Sequence, residues 1–436
     1  MQYNFDCIID RTQIDSVKWT AYPKDVLPLW VADSDFQSPE PVVAAVQKIV
    51  DTKVFGYPNG HSGVLERAAV SWCQRKYNFT FSESEIHYCP SMSFGLAIAI
   101  RAFTQPGGKV LMQTPIYPPF TELTKANGRV CSMNPLKFVN GRYDVDFEDF
   151  ERRAADPDCS LFLLCSPHNP TGRVFSADEL NRFVEICAAH DVVILSDEVH
   201  SGFVFKGEHA FLPRLSETAA RISVWGSSPS KTFNTAGLRA ASLGSKNPEL
   251  NAKLKAELTA SQPDRSIFSQ TAFAAAWTEC DDYGEQVAAY VKKNLEFAVE
   301  FFRTRIPSIK TYLPDATYLM WLDCSALGFK TQTELSEFFV KEAKVALNPG
   351  ESFGPGGEQH MRLNTACPRS TLETALQRIE AAAARRCALL GLFFSRRPLK
   401  RAALRLPVYC LFNCSLMNSQ TQRGLRLISR LPHADR

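Results

Sequence analysis

Between residues 109 and 196 the chain alternates between short, mostly apolar runs and stretches of helical period. Lys109-Val110-Leu111-Met112-Gln113, Leu161-Phe162-Leu163-Leu164-Cys165 and Val192-Val193-Ile194-Leu195-Ser196 are too short for helices and lack polar alternation. Such runs predict strands covered on both faces, as in a buried parallel sheet. Between the last two, a helical pattern from about Ser176 to His190 predicts the connection that parallel neighbours need. Upstream, Ser38-Pro39-Glu40 reads as a helix start, with the helix running to Val50, and a second amphipathic helix is predicted from about Gly63 to Tyr77. Asn140-Gly141, between apolar flanks, predicts a hairpin. Near Asp281 the texture changes. A long charged helix is predicted over about Tyr283–Thr304, a strand over Tyr318–Leu322 and a closing helix over about Arg369–Ala384. The expected fold is α/β, a mostly parallel central sheet with helices on both faces, plus a smaller α+β domain. The expected division is a large domain at 46–282 and a small one made of 1–45 with 283–384, the N-terminal segment folding back onto the latter.

Composition narrows the class. The 436 residues are 45% hydrophobic and 22% charged, which supports a sizeable core. The net charge of +3 is uneven: eleven Lys/Arg against Asp435 put +10 between Arg385 and Arg436, leaving −7 on residues 1–384. A mildly acidic body argues against nucleic acid as its partner. The basic stretch 385–436 has no clear period and reads as a poorly ordered, non-homologous extension, the alternative being a basic arm for an acidic surface. Thirteen cysteines without a CxxC pair, and an N-terminus without a signal-peptide layout, read as a reduced, cytoplasmic protein with free thiols and no metal site. No apolar run approaches the length of a membrane span.

Three segments carry candidate chemistry. In Ser227-Ser228-Pro229-Ser230-Lys231-Thr232-Phe233-Asn234-Thr235-Ala236-Gly237-Leu238-Arg239, small hydroxyls and an arginine suit a phosphate, and the lysine among them suits an imine with an aldehyde. Asp197 in Ser196-Asp197-Glu198-Val199-His200 ends a predicted parallel strand, where ligand crevices of open α/β sheets lie. Asn169, in Ser166-Pro167-His168-Asn169-Pro170-Thr171-Gly172, follows another strand end and is a candidate hydrogen-bond donor.

In this order these motifs resemble the fold-type I pyridoxal-phosphate (PLP) enzymes, the class I/II aminotransferase superfamily. Within it the chain looks most like the MalY/PatB group of cystathionine β-lyases. Further supporting segments are LPLWVADSDF at 27–36, Phe55-Gly56-Tyr57, PIYPPF at 115–120, ATYLMWLDCSAL at 316–327 and MRLNTACPRSTL at 361–372. The resemblance implies PLP as cofactor and carbon–sulfur β-elimination as the reaction, with transamination the alternative. It implies that Lys231 holds the cofactor and moves the α-proton, that Asp197 pairs with the pyridine nitrogen, that Asn169 bonds the ring oxygen and that Tyr117 stacks on the ring. Ser228, Ser230, Arg239 and the helix start at Ser91, Met92 and Ser93 would hold the phosphate. Tyr57 would reach the cofactor of a second subunit, which implies a homodimer with shared sites. Arg362 would receive the substrate carboxylate, near Asp33 and Ser34. His200 reads as structural. The chain departs from the group's usual residues at Ser34, at Pro90–Ser93, at Arg239 and after His200, positions close to the cofactor or the substrate entrance.

Overall fold

The computed structural model describes residues 1–389. In chain order its strands are β1 (Leu27–Pro28), β2 (Ile86–Cys89), β3 (Lys109–Thr114), β4 (Val130–Pro135), β5 (Lys137–Val139), β6 (Arg142–Asp144), β7 (Cys159–Cys165), β8 (Val193–Asp197), β9 (Ser223–Ser227), β10 (Ala241–Gly244), β11 (Leu319–Asp323), β12 (Val345–Ala346), β13 (Asn348–Pro349) and β14 (His360–Asn364).

The central sheet has seven strands in the order β2-β10-β9-β8-β7-β3-β4. β10 alone runs against the rest. The sequence runs are uninterrupted because alternate residues of one strand enter different cores. On β7, Leu161 and Leu163 join one cluster with Leu96 and Leu254, while Phe162 and Leu164 join another with Phe150 and Phe183. Each cluster is roofed by helices, so from Leu161 to Cys165 neither face of the strand carries polar residues. The predicted connecting helix spans Ala177–Ala189, opened by a capping box between Ser176 and Glu179. The helices at Glu40–Thr52, Val64–Tyr77 and Asp281–Arg305 and the β5–β6 hairpin around Asn140-Gly141 also fall where the pattern puts them.

A smaller antiparallel sheet, β11-β14-β13, lies within the C-terminal portion. In the N-terminal segment, β1 pairs with β12, and the Asn364 N–H donates to the Leu29 carbonyl. One apolar core runs across both expected junctions, 45/46 and 282/283. Leu29, Phe36 and Val42 share it with Trp72 and Trp277 and with Leu295 and Tyr318.

The closing helix spans Arg369–Leu389 and does not stop at Ala384. Its buried positions, Leu372, Leu376, Ile379 and Ala383, continue in step to Cys387. Arg386 stacks on Phe329 at 4.2 Å and donates to the Leu327 and Gly328 carbonyls. The first residues of the basic stretch are therefore part of the helix, and the rest of that stretch, from residue 390, lies outside the described residues. No helix among the described residues is long and apolar enough to cross a membrane.

Candidate active site

The sheet register places Cys165 on β7 beside Asp197 on β8, and Asp197 beside Gly226 on β9. Loops leaving these carboxyl ends therefore start level, at the edge where open α/β sheets bind ligands. Five strand ends deliver side chains to one cavity of about 140 Å³: β2 brings Ser91, Met92 and Ser93; β3, Tyr117; β7, Asn169; β8, Asp197 and His200; β9, Ser230 and Lys231. Arg239 and Ala32 complete the wall. A wider cleft, about 790 Å³, opens elsewhere and is lined by none of these residues. Buried, unbalanced charge marks the smaller cavity as the chemical site.

Asp197 is buried, and its Oδ1 accepts from the Val199 N–H at 3.2 Å. Burial pushes its pKa up to about 7, and Lys231 only partly opposes this. No cation is paired with it among the described residues, so a protonated ring nitrogen set beside it would restore an ordinary carboxylate. Lys231 donates from Nζ to the Ala32 carbonyl at 2.7 Å. Desolvation brings its pKa down to about 8; Asp33 raises it, Arg362 lowers it further, and Asp197 raises it. Such an amine has a reactive neutral fraction near neutral pH, as capture of an aldehyde requires. Gly202 packs against the residue after this lysine, since a Cβ there would meet Thr232 Oγ1 at 2.2 Å.

Arg362, on β14, is buried to 1% exposure and makes no ion pair among the described residues. Its Nη1 donates to Asn169 Oδ1 at 3.0 Å, its Nη2 to the Trp30 carbonyl at 3.2 Å, and its Nε has no partner. Burial lowers its pKa to about 10, which leaves it charged at neutral pH. A buried cation held only by neutral acceptors is costly unless an anion completes it. Because Asn169 accepts with Oδ1, its Nδ2 remains a donor on the cavity wall without a partner among the described residues.

The opposite wall suits a phosphate. Ser91 caps the helix Met92–Phe103, its Oγ accepting from the Phe94 N–H at 3.2 Å. The first N–H groups of such a helix have no intrahelical acceptor, and they carry the positive end of its dipole. Arg239 is exposed at this wall.

Not every expected residue reaches the cavity: Arg362 does not line it and meets its wall through Asn169. Ser228 is buried behind it, donating to the Ala240 carbonyl at 2.6 Å and accepting from the Ser230 N–H at 3.1 Å. Its hydroxyl proton is committed to the loop that presents Ser230 and Lys231. Ser228→Ala should therefore cost about 1 kcal/mol of stability while changing cofactor affinity less than about threefold, checked by melting and by titration. Tyr57 is fully exposed at 103%, outside the cavity. Asp33 and Ser34 join an N-terminal clamp: Arg11 reaches Asp33 Oδ2 at 2.7 Å, the Ser34 carbonyl at 3.0 Å and Asp35 at 3.1 Å, and the fully buried Lys18 reaches Asp35 at 2.7 Å.

Sequence reasoning missed two members. The Ala32 carbonyl accepts from both Lys231 and the Tyr318 hydroxyl (3.1 Å), and it acts through backbone that any residue would supply. His200, read as structural, lines the cavity with an unpartnered Nδ1. Burial, then Lys231 and Arg362, keep its pKa well below the usual value, so it is neutral.

The site thus offers an acid for a ring cation, an amine for an aldehyde, a helix start for a phosphate and a guanidinium for a carboxylate. Residues 24–379 match the family "aminotransferase class I and II". The chain is similar to cystathionine beta-lyase PatB of Bacillus subtilis, 39% identical over 87% of this chain and 99% of that protein. It is 36% identical to a cystathionine beta-lyase of Corynebacterium glutamicum, over 84% of this chain and 95% of that one. Among solved structures it resembles the PLP-bound C–S lyase from Staphylococcus hominis, with a TM-score of 0.81 and 30% identity over 88% of this chain and 99% of that chain.

Proposed function

Because the chain belongs to the aminotransferase class I and II family, we infer that it is a PLP-dependent carbon–sulfur β-lyase. It converts cystathionine or a related cysteine S-conjugate, with one water, into a thiol, pyruvate and ammonium. The observation that carries this reading is Asp197 and Lys231 on one cavity wall, with the buried Arg362, unpaired among the described residues, held behind it against Asn169.

When bound, PLP supplies an electron sink that acidifies the Cα proton of an attached amino acid. Asp197 holds a proton on the ring nitrogen by charge. Asn169 and Tyr117 on the cavity wall would hold the ring, Asn169 by its free Nδ2 and Tyr117 by its aromatic face. Ser230, Arg239 and the N–H groups at Ser91–Ser93 hold the phosphate, with Ser228 shaping their loop. Arg362 receives the substrate carboxylate bidentately and so orients the Cα–H bond. Lys231 Nζ would take the Cα proton and give one to the departing sulfur. Support for the lyase reading comes from relatives named for that activity.

The test is direct. Purified protein with PLP is incubated with cystathionine and no keto acid. Pyruvate and thiol should appear in equal amounts over many turnovers. Amino transfer to an added keto acid, without catalytic pyruvate, would move the assignment to aminotransferase.

The Lys231 amine sets a second expected result. Only its neutral form captures the cofactor, and below a pKa of about 8 that form falls about tenfold per pH unit. The rate at which stripped protein regains its visible band should rise about tenfold from pH 6 to 7 and level off above pH 8. A flat profile over that range would contradict the assigned role.

A homodimer and a cytoplasmic location belong to the same proposal. Val54, Phe55 and Tyr57 are 69%, 62% and 103% exposed along one loop, an apolar surface a second subunit would cover. Sedimentation of the full chain tests the dimer, and cell fractionation the location.

A further inference from the structure

The cleft of about 790 Å³ is separate from the cavity that holds the chemistry. It lies between the β5–β6 hairpin, the start of the helix Ala177–Ala189, the segment 206–215 and residues 312–315. Five cations line it, Lys76, Arg142, Arg173, Lys206 and Arg214, against the carboxylates Glu208 and Asp315. Glu179, behind the wall, takes up Arg173 at 2.5 Å and Arg142 at 3.1 Å, Asp144 also meets Arg142 at 3.2 Å, and Asp281 takes up Lys76 at 3.2 Å, so Lys206 and Arg214 are the cations left for a ligand. Lys206 is 85% exposed and meets Asp315 only at 3.7 Å. Arg214 is exposed and donates only to the Tyr77 carbonyl, with no carboxylate partner among the described residues. Ser176 and Ala177 put the positive end of a 13-residue helix on the same wall.

Two further features point to a ligand and to communication. His209, its side chain 7% exposed, lines the cleft, and its buried Nδ1 has no partner among the described residues. Its Nε2 is 2.7 Å from Glu198 Oε2, and Glu198 directly follows Asp197. Thr171 and Gly172 also line the cleft and end the turn that carries Asn169. That turn is tightly held: the Tyr312 hydroxyl donates to the Thr171 carbonyl at 2.8 Å, and a Cβ on Gly172 (φ +68°) would meet Pro314 Cβ at 2.4 Å. The cleft wall is thus the reverse side of two loops that build the active site.

We propose that this cleft is a second site, for a small polyanionic metabolite bearing a phosphate or several carboxylates, and that its occupancy alters turnover through the Asn169 turn and the His209–Glu198 pair. The anion sits between Lys206, Arg214 and the helix start. Charge attracts it, and the rigid turn transmits its presence.

The probe is inorganic pyrophosphate, titrated by calorimetry into the full chain already loaded with PLP. Binding is read as heat and so stands apart from the reaction assigned above. Saturable binding is expected, weakened about tenfold or more by combined Lys206→Glu and Arg214→Glu, whose basal turnover stays unchanged. The equal reversal Lys292→Glu with Lys293→Glu, on the exposed face of another helix, should leave binding intact. In the wild type, pyrophosphate should change KM or kcat for cystathionine about fivefold, and in the Lys206/Arg214 variant it should not. Absence of saturable binding, or binding indifferent to Lys206 and Arg214, would overturn the site. Binding that leaves KM and kcat unaltered would overturn the communication.

Discussion

Lys231→Ala should release pyruvate from cystathionine at least about a thousandfold more slowly than the wild type, the scale of a lost positioned base. The fold should survive. The Ala32 carbonyl that accepts from Lys231 Nζ keeps the Tyr318 hydroxyl at 3.1 Å, so no buried acceptor is orphaned. The variant should still bind PLP, because Ser230, Arg239 and the helix start at Ser91–Ser93 are untouched, but its absorption should be that of the free aldehyde. A small primary amine should restore part of the rate, since it fits the space the lysine leaves and can move the same proton. Retention of more than about a tenth of wild-type turnover would remove Lys231 from the proton-transfer role, because general-base contributions run far above that.

Asp197 and Asn169 could be placed at strand ends because each lies at the end of a run whose residues alternate between two buried layers, whereas Lys231 stood out only by the small hydroxyls around it. Leu161 and Phe162 face different cores, and that two-sided burial writes an unbroken apolar run into the sequence. The same burial hides other elements. The helices Met92–Phe103 and Ile267–Glu279 are apolar on most sides, so no polar stripe marks their period. β10 is short and buried, and nothing in its four residues shows that it runs against its neighbours.

Side-chain chemistry is readable where the residue type is the message. It is not readable where placement decides. Ser228 and Ser230 are both small hydroxyls beside Lys231, yet one hydroxyl is spent on Ala240 and the other residue lines the cavity. Arg362 meets the Trp30 carbonyl across 332 positions of sequence, and only the fold reveals that no carboxylate comes with it. Ala32 contributes a carbonyl, to which its side chain gives no clue.

Asp197→Asn should separate stability from activity, moving them in opposite directions. In the wild-type chain without cofactor, burial raises the Asp197 pKa from 3.8 to about 7. The folded state therefore binds a proton more tightly than the unfolded chain does. The sign follows: the folded chain loses stability as pH rises from about 4 through 7, and above 7 carries a cost of a few kcal/mol for the buried charge. Asparagine keeps the size, still accepts from the Val199 N–H and has no charge to desolvate. At pH 8 the cofactor-free variant should melt about two to five degrees higher than the wild type, and near pH 4 the difference should vanish. With PLP the order reverses. The wild-type carboxylate gains a ring cation and is stabilised by it, whereas the amide has no charge to offer. Turnover should fall about a thousandfold, since the ring nitrogen loses its proton and with it the electron sink. Melting curves of both proteins, with and without PLP at pH 4 and pH 8, check the four signs together. A cofactor-free variant less stable than the wild type at pH 8 would mean that Asp197 already has a partner within the protein, and the reading of this cavity as a site awaiting a cation would fail.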